Sequence, residues 1–146
     1  MAPPVSEALV REFFEWFAEA FVSGDLDWLD RVYIYPLAVF LTNDEIRVEQ
    51  DIEDTKKFIL WRRQHIRDAG CNEMRAHIQM IEPTQDARYR VHLEFSFHTA
   101  DGSEVGRNKF RYLIEQREDH RIWIESIEIV DIGMPFPDQR KYSLLH

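Results

Sequence analysis

The second half of the chain alternates apolar and polar residues over four long segments, and no other feature limits its fold as strongly. From Met74 to Glu128 these segments are divided by "EPTQD", "TADGS" and "EDH", all polar turn signals. Period-two alternation between such turns marks antiparallel strands with one buried face. Centring a hairpin on Asp101 and Gly102 opposes Leu93 with Phe110, Val91 with Tyr112 and Tyr89 with Ile114, while Glu94 meets Lys109 on the other face. A turn at "EPTQD" that pairs Ala76 with Leu93 brings Met74 to Phe95, Ile78 to Val91, Met80 to Tyr89 and His77 to His92. Carried through "EDH", the pattern sets Ile124 near Ile114, Ser126 near Tyr112 and Glu128 near Phe110. The apolar face then also carries Asn108, Ser126 and Glu128.

A sheet with one apolar face needs a cover, and the first half of the chain supplies it. "SEALVREFFEWFAEAFVSG" places Leu9, Phe13, Trp16, Phe17, Ala20 and Phe21 at helical spacing, with Ser6 as N-cap and Gly24 as stop. "DLDWLDRVY" reads as a short second helix through Trp28, Leu29 and Val32. Pro36 ends it, because the residue before a proline is driven to extended geometry; Tyr35 is thus the switch into a strand, "PLAVFL", that turns at "TNDE" into "IRVEQ". "DIEDTKKFILWRRQHIRDAG" is a third helix, capped by Asp51 and closed by Gly70. Its buried stripe is Thr55, Phe58, Ile59, Arg62, Ile66 and Ala69, with Trp61 and His65 on the margin.

Charge and composition exclude several partners. With 27 acidic against 18 basic residues, the net charge of -9 repels nucleic acid and anionic membrane surfaces. One cysteine, Cys71, allows no internal disulfide, and "MAPPVSEALV" has no basic and then apolar leader, so a reducing, cytoplasmic setting is expected. No apolar run is long enough to span a bilayer. At 146 residues the chain is expected to be one domain, with a core over about 5–131 and a C-terminal tail over 132–146. His77 and His92 lack a third ligand on their face, so no metal site is assigned, and with no phosphate loop or cofactor motif none is expected to need a cofactor.

This element order, with "YPLAVFL" opening the hairpin, "DIEDTKKFILWRRQHIRDAG" as the long helix and "RIWIESIEIVD" as a Trp-containing last strand, resembles the nuclear transport factor 2-like superfamily. The resemblance implies an α+β cone: a curved antiparallel sheet wrapped on three N-terminal helices, enclosing an apolar interior pocket. It further implies a homodimer through the outer sheet face, here His92, Arg111, Trp123 and Ile127. Members include ketosteroid isomerases, dehydratases, polyketide cyclases and epoxide hydrolases, alongside noncatalytic transport and assembly domains. Where the ketosteroid isomerases carry a phenol in the first helix, "EFFEWFAEAF" offers only Phe and Trp.

The residues themselves nominate a site. Glu128, set inward beside Phe110, is the candidate proton acceptor, since an apolar cavity raises a carboxyl pKa toward the useful range. Tyr112 and His65 are its catalytic companions. Trp16, Tyr35, Phe58, Arg62, Tyr89, Asn108 and Ser126 are the candidate ligand-binding residues, and the expected partner is a small apolar molecule. The chemistry would be cofactor-independent isomerisation, dehydration or cyclisation. The alternative is a noncatalytic module whose cavity is filled by its own aromatics.

Overall fold

The computed structural model describes residues 7–85, 87–117 and 121–133. Helix α1 (Glu7–Ser23) is followed by a single 3₁₀ turn at Asp27–Arg31, strands β1 (Tyr33–Phe40) and β2 (Ile46–Glu49), and helix α2 (Ile52–Asp68). Strands β3 (Cys71–Pro83), β4 (Arg88–Thr99), β5 (Glu104–Gln116) and β6 (Ile122–Ile132) complete the order. The strands form one open, curved sheet in the order β2-β1-β6-β5-β4-β3. Two α-helices cover it rather than three, because the segment between Gly24 and Tyr33 forms a short 3₁₀ helix and no third α-helix. The sheet is mixed: β1 runs antiparallel to β2 but parallel to β6. No helix among the described residues is long and apolar enough to cross a membrane.

Local chemistry explains the helix limits. Asp51 accepts from the amide of Asp54 at 3.1 Å while Asp54 accepts from the amide of Gln50, the residue before the cap, at 2.9 Å, and the two bonds close the start of α2. Gly70, at φ +80°, ends it in a conformation that other residues adopt only under strain. In α1 the buried face is Val10, Phe14, Phe17, Ala18 and Phe21, rotated from the expected stripe. Leu9, Phe13 and Ala20 flank it half-buried, and Trp16 is 44% exposed. The expected N-cap, Ser6, lies outside the described residues, as do the "EDH" turn and residues 134–146 of the tail.

Pro36 lies inside β1 rather than opening it. Between Tyr33 and Ala38 the β1 strand advances further than β6 does between their partners, Ile124 and Ser126, so the proline occupies an irregular stretch where no ladder bond is required of it. The β4–β5 register is as expected, with Leu93 opposite Phe110, Val91 opposite Tyr112 and Tyr89 opposite Ile114. Between β3 and β4 the pairing is displaced by two residues, Ala76 to Phe95 and Ile78 to Leu93, which preserves the faces. A bulge beyond Ile78 then turns Met80 outward, 48% exposed, and pairs Ile81 with Val91.

The consequential departure is in β6. A register shift between Leu113 and Ile114 sets Ser126 opposite Leu113, Ile127 opposite Tyr112, Glu128 opposite Arg111 and Ile129 opposite Phe110. One extra residue exchanges the two faces of a strand. Ile127 and Ile129 therefore enter the core, and Ser126 and Glu128 move to the outer face with Leu113 and Arg111.

Candidate functional site

The helices and the inner sheet face enclose a cavity of about 20 Å³, room for about one water. Most of the interior is filled by rings: Phe17 stacks on Phe95 at 6.0 Å and meets Tyr112 at 6.0 Å, while Phe110 lies 5.6 Å from Phe95. The polar groups on the cavity wall are Glu49, Thr55, Arg62, Tyr33 and Tyr112. Glu49 is 1% exposed and Thr55 2%, so a carboxylate and a hydroxyl sit in the driest part of the cone. Ionised groups in such places are expensive and therefore rare.

Arg62 comes from the buried stripe of α2, and its guanidinium lies 5.5–5.6 Å from the ring centroids of Phe21, Phe58 and Phe110. Three aromatic faces around one cation stabilise a charge that water does not reach. Tyr112 is buried opposite Ile127, and burial pushes its phenol well above the ordinary range, with the Arg62 charge opposing. Its hydroxyl makes no hydrogen bond among the described residues. Tyr35 reaches the same wall indirectly, sharing a 2.6 Å hydrogen bond with Thr55. Burial pushes its phenol up to about 12; the Thr55 bond opposes this, and the carboxylates of Glu49, Asp51 and Asp54 add to it.

Of the residues nominated from sequence, the structure thus gathers Tyr112, Phe58 and Arg62 on the cavity, with Tyr35 behind Thr55. It separates the others. Glu128 is on the outer face in an ion pair with Arg111, both side chains about two-fifths exposed, so it is not the inward carboxyl expected from the register. Ser126 shares that face opposite Leu113. His65 packs against Trp61 at 4.9 Å and its Nδ1 donates to the Trp61 carbonyl at 2.8 Å, outside the cavity wall. Asn108 is buried opposite Phe95, Tyr89 opposite Ile114, and neither lines the cavity. Trp16 belongs to a different groove at the outer edge of α1.

Glu49 is the residue that sequence reading overlooked; Thr55 belongs to the expected buried stripe but not to the nominated site residues. The signal was present in "IRVEQ": with Leu37 and Val39 inward, antiparallel pairing sets Glu49 opposite Leu37 and Arg47 opposite Val39, and so on the inner face. His77 and His92 do not face each other. His77 lies opposite Glu94, and its Nε2 is 2.7 Å from Ser96 Oγ, which is 2.8 Å from His98 Nε2. No group of three or more metal-ligating side chains occurs among the described residues. Of the four residues expected at a dimer surface, His92, Arg111 and Trp123 are on the outer face, whereas Ile127 is buried and lines the cavity.

Residues 6–128 match the family model described as NTF2-like protein (DUF6841). No curated protein sequence matches the chain. Among solved structures it is similar to an NTF-2 like protein of unknown function from Shewanella oneidensis, at 18% identity and a TM-score of 0.59, over 83% of this chain and 95% of that one. It is also similar to Aln2 from a Streptomyces species, at 12% identity and a TM-score of 0.63, over 88% and 93% of the two chains. A domain of unknown function with a cystatin-like fold from Nostoc punctiforme aligns at 9% identity and a TM-score of 0.61, over 98% and 85%. At these identities the likeness is one of fold.

Proposed function

The chain belongs to the NTF2-like family described as DUF6841, and from that premise we propose that it binds a small, largely apolar carbonyl compound inside its cone. The observation that carries this reading is the Tyr112 hydroxyl: a buried phenol on the cavity wall, with no hydrogen-bond partner among the described residues. A buried polar group in that condition marks a place where a partner is received. A ligand oxygen accepts from Tyr112 beside Arg62, and its carbon body replaces the volume now taken by Phe58, which is half-buried at the margin of α2. Ligand-binding sites of this kind are apolar with a few convergent polar groups.

If bound carbonyl compounds are turned over, the reaction is proton transfer of the isomerase, dehydratase or cyclase type. Glu49 takes the proton-acceptor role first assigned to Glu128, Tyr112 donates to the oxygen, and Arg62 offsets the charge that develops there. All three line one cavity. A second reading, a noncatalytic module with a filled core, draws on the cavity's small volume of about 20 Å³. The outer sheet face with His92, Arg111 and Trp123 is the proposed homodimer surface.

Thermal shift with cyclohexenone, acetophenone and 2-tetralone separates the two readings. The pocket reading expects at least one ketone to raise the Tm of the wild-type protein and to lose that effect in Tyr112→Phe. Stabilisation by none of them leaves the filled core as the answer.

A further inference from the structure

A second hollow lies outside the cone, an open groove of about 520 Å³ between the first half of α1, the 3₁₀ turn and the start of β6. Its volume is within the range that holds a two-ring molecule. Trp16, 44% exposed, forms one wall and meets Trp28 edge to face at 5.5 Å. Trp28 is held in place by the bond from its Nε1 to the carbonyl of Asp25 at 2.7 Å. The groove therefore offers a fixed aromatic floor and an accessible aromatic wall, which favours a flat ring system.

Its rim inverts the charge of the molecule. Arg31 and Arg121 both line the groove against one carboxylate, Glu12, in a chain whose net charge is -9. Arg121 is held in place: Nη2 donates to the carbonyl of Arg31 at 2.8 Å, and the guanidinium lies 4.7 Å from the centroid of Trp123. Arg31 forms an ion pair with Asp30 at 3.8 Å, both side chains 63% exposed, a loose pair screened by water. A guanidinium fixed at the edge of an aromatic groove matches a planar carboxylate through paired hydrogen bonds. We propose that this groove is a binding site, separate from the cone, for an aromatic carboxylate.

The test compares 2-naphthoate with the neutral 2-naphthylmethanol by calorimetric titration on the full chain. The proposal expects one equivalent of naphthoate to bind at least tenfold more tightly than the alcohol. Trp16→Ala should weaken naphthoate at least tenfold, and Arg31→Gln with Arg121→Gln should erase the preference for the acid. Tyr112→Phe, which alters the cone and not the groove, should leave naphthoate binding unchanged. Equal affinities for acid and alcohol, no binding of either, or unchanged binding in Trp16→Ala overturns the proposal. So does loss of naphthoate binding in Tyr112→Phe, which would place the acid in the cone. Urea midpoints for each variant establish that the exposed substitutions leave the fold intact.

Discussion

Arg63 of α2 donates its Nε to the carbonyl of Phe21 at 2.8 Å, fastening one helix to the end of the other. Its Nη2 reaches the neighbouring carbonyl of Ala20 at 3.2 Å. Carbonyls in the last turn of a helix lack intrahelical partners, and here the Arg63 guanidinium supplies one to Phe21 and adds a second donor to Ala20, which also accepts from the Gly24 amide at 3.1 Å. Arg63→Gln should lower stability by about 1.5–3 kcal/mol, because the buried Phe21 carbonyl loses a charged donor while Ala20 keeps the Gly24 amide. Arg63→Lys, with one nitrogen for two carbonyls, should fall between. Urea unfolding reads both, and a change below about 0.5 kcal/mol in Arg63→Gln would mean that the fastening contributes nothing.

Tyr112 and Tyr35 make opposite predictions for the same substitution. Tyr35→Phe breaks a 2.6 Å bond and strands the Thr55 hydroxyl, so it should cost about 1 kcal/mol. Tyr112→Phe removes a buried hydroxyl that makes no hydrogen bond among the described residues, so stability should hold or rise by up to about 1 kcal/mol. A binding role for Tyr112 predicts that this gain comes with loss of ketone stabilisation. A large destabilisation by Tyr112→Phe would argue for a purely structural hydroxyl.

The alternation that placed Val91, Leu93, Phe110 and Tyr112 on one face was legible because each pair is repeated by the next, and it holds although the turn is a three-residue loop, 100–102, closed by Thr99 and Ser103, with a register shift at Phe97 and His98. The β6 register was not. Its bulge adds one residue, Glu125, opposite the step between Leu113 and Ile114, and "IWIESIEIV" keeps an apolar residue at every second position up to the point where the bulge exchanges the faces. Ser126 is where that alternation breaks, and a polar residue there fits a bulge as well as a pocket. Tyr112 and Arg62 were found because their neighbours on β5 and α2 fixed their direction; Glu49 was missed because β2 is four residues long and its inward face is set by β1.

Alkaline pH should weaken the fold through the two inner phenols. Tyr35 has its pKa pushed up to about 12, and Tyr112 is also raised, both chiefly by burial, against an ordinary phenol near 10 in the unfolded chain. The folded state holds these protons more tightly, so their stabilisation is complete below about pH 10 and is lost as pH rises through the folded value. Urea midpoints should therefore fall between about pH 10 and 12, and by less in Tyr35→Phe. A midpoint that is flat across that window would contradict the burial of both groups.

The proposed homodimer predicts a light-scattering mass of twice 17.6 kDa for the wild-type protein. Trp123 is held under the guanidiniums of Arg117 and Arg121, each 4.7 Å from its ring, so it presents a broad flat group on the outer face. Trp123→Arg places a third cation there and should give monomers without loss of fold. An unchanged mass in that variant removes this surface as the interface.

The carboxylates Glu49 and Glu128 separate a site in the cone from one defined by sequence pattern alone. Glu128, paired with Arg111 in partly exposed surroundings, should respond to Glu128→Gln with a change within about 1 kcal/mol and no effect on ketone stabilisation. Glu49 is 1% exposed on the cavity wall, out of reach of bulk solvent. Glu49→Gln keeps the shape and removes the charge, so it should cost about 1–3 kcal/mol and alter the ketone response measured by thermal shift. If the compounds are also turned over, exchange of the ketone's α-protons with deuterated solvent, followed by NMR, should require Glu49 and be indifferent to Glu128. Exchange that survives Glu49→Gln would remove the acid-base role from the cone, because no other carboxylate among the described residues lines its cavity.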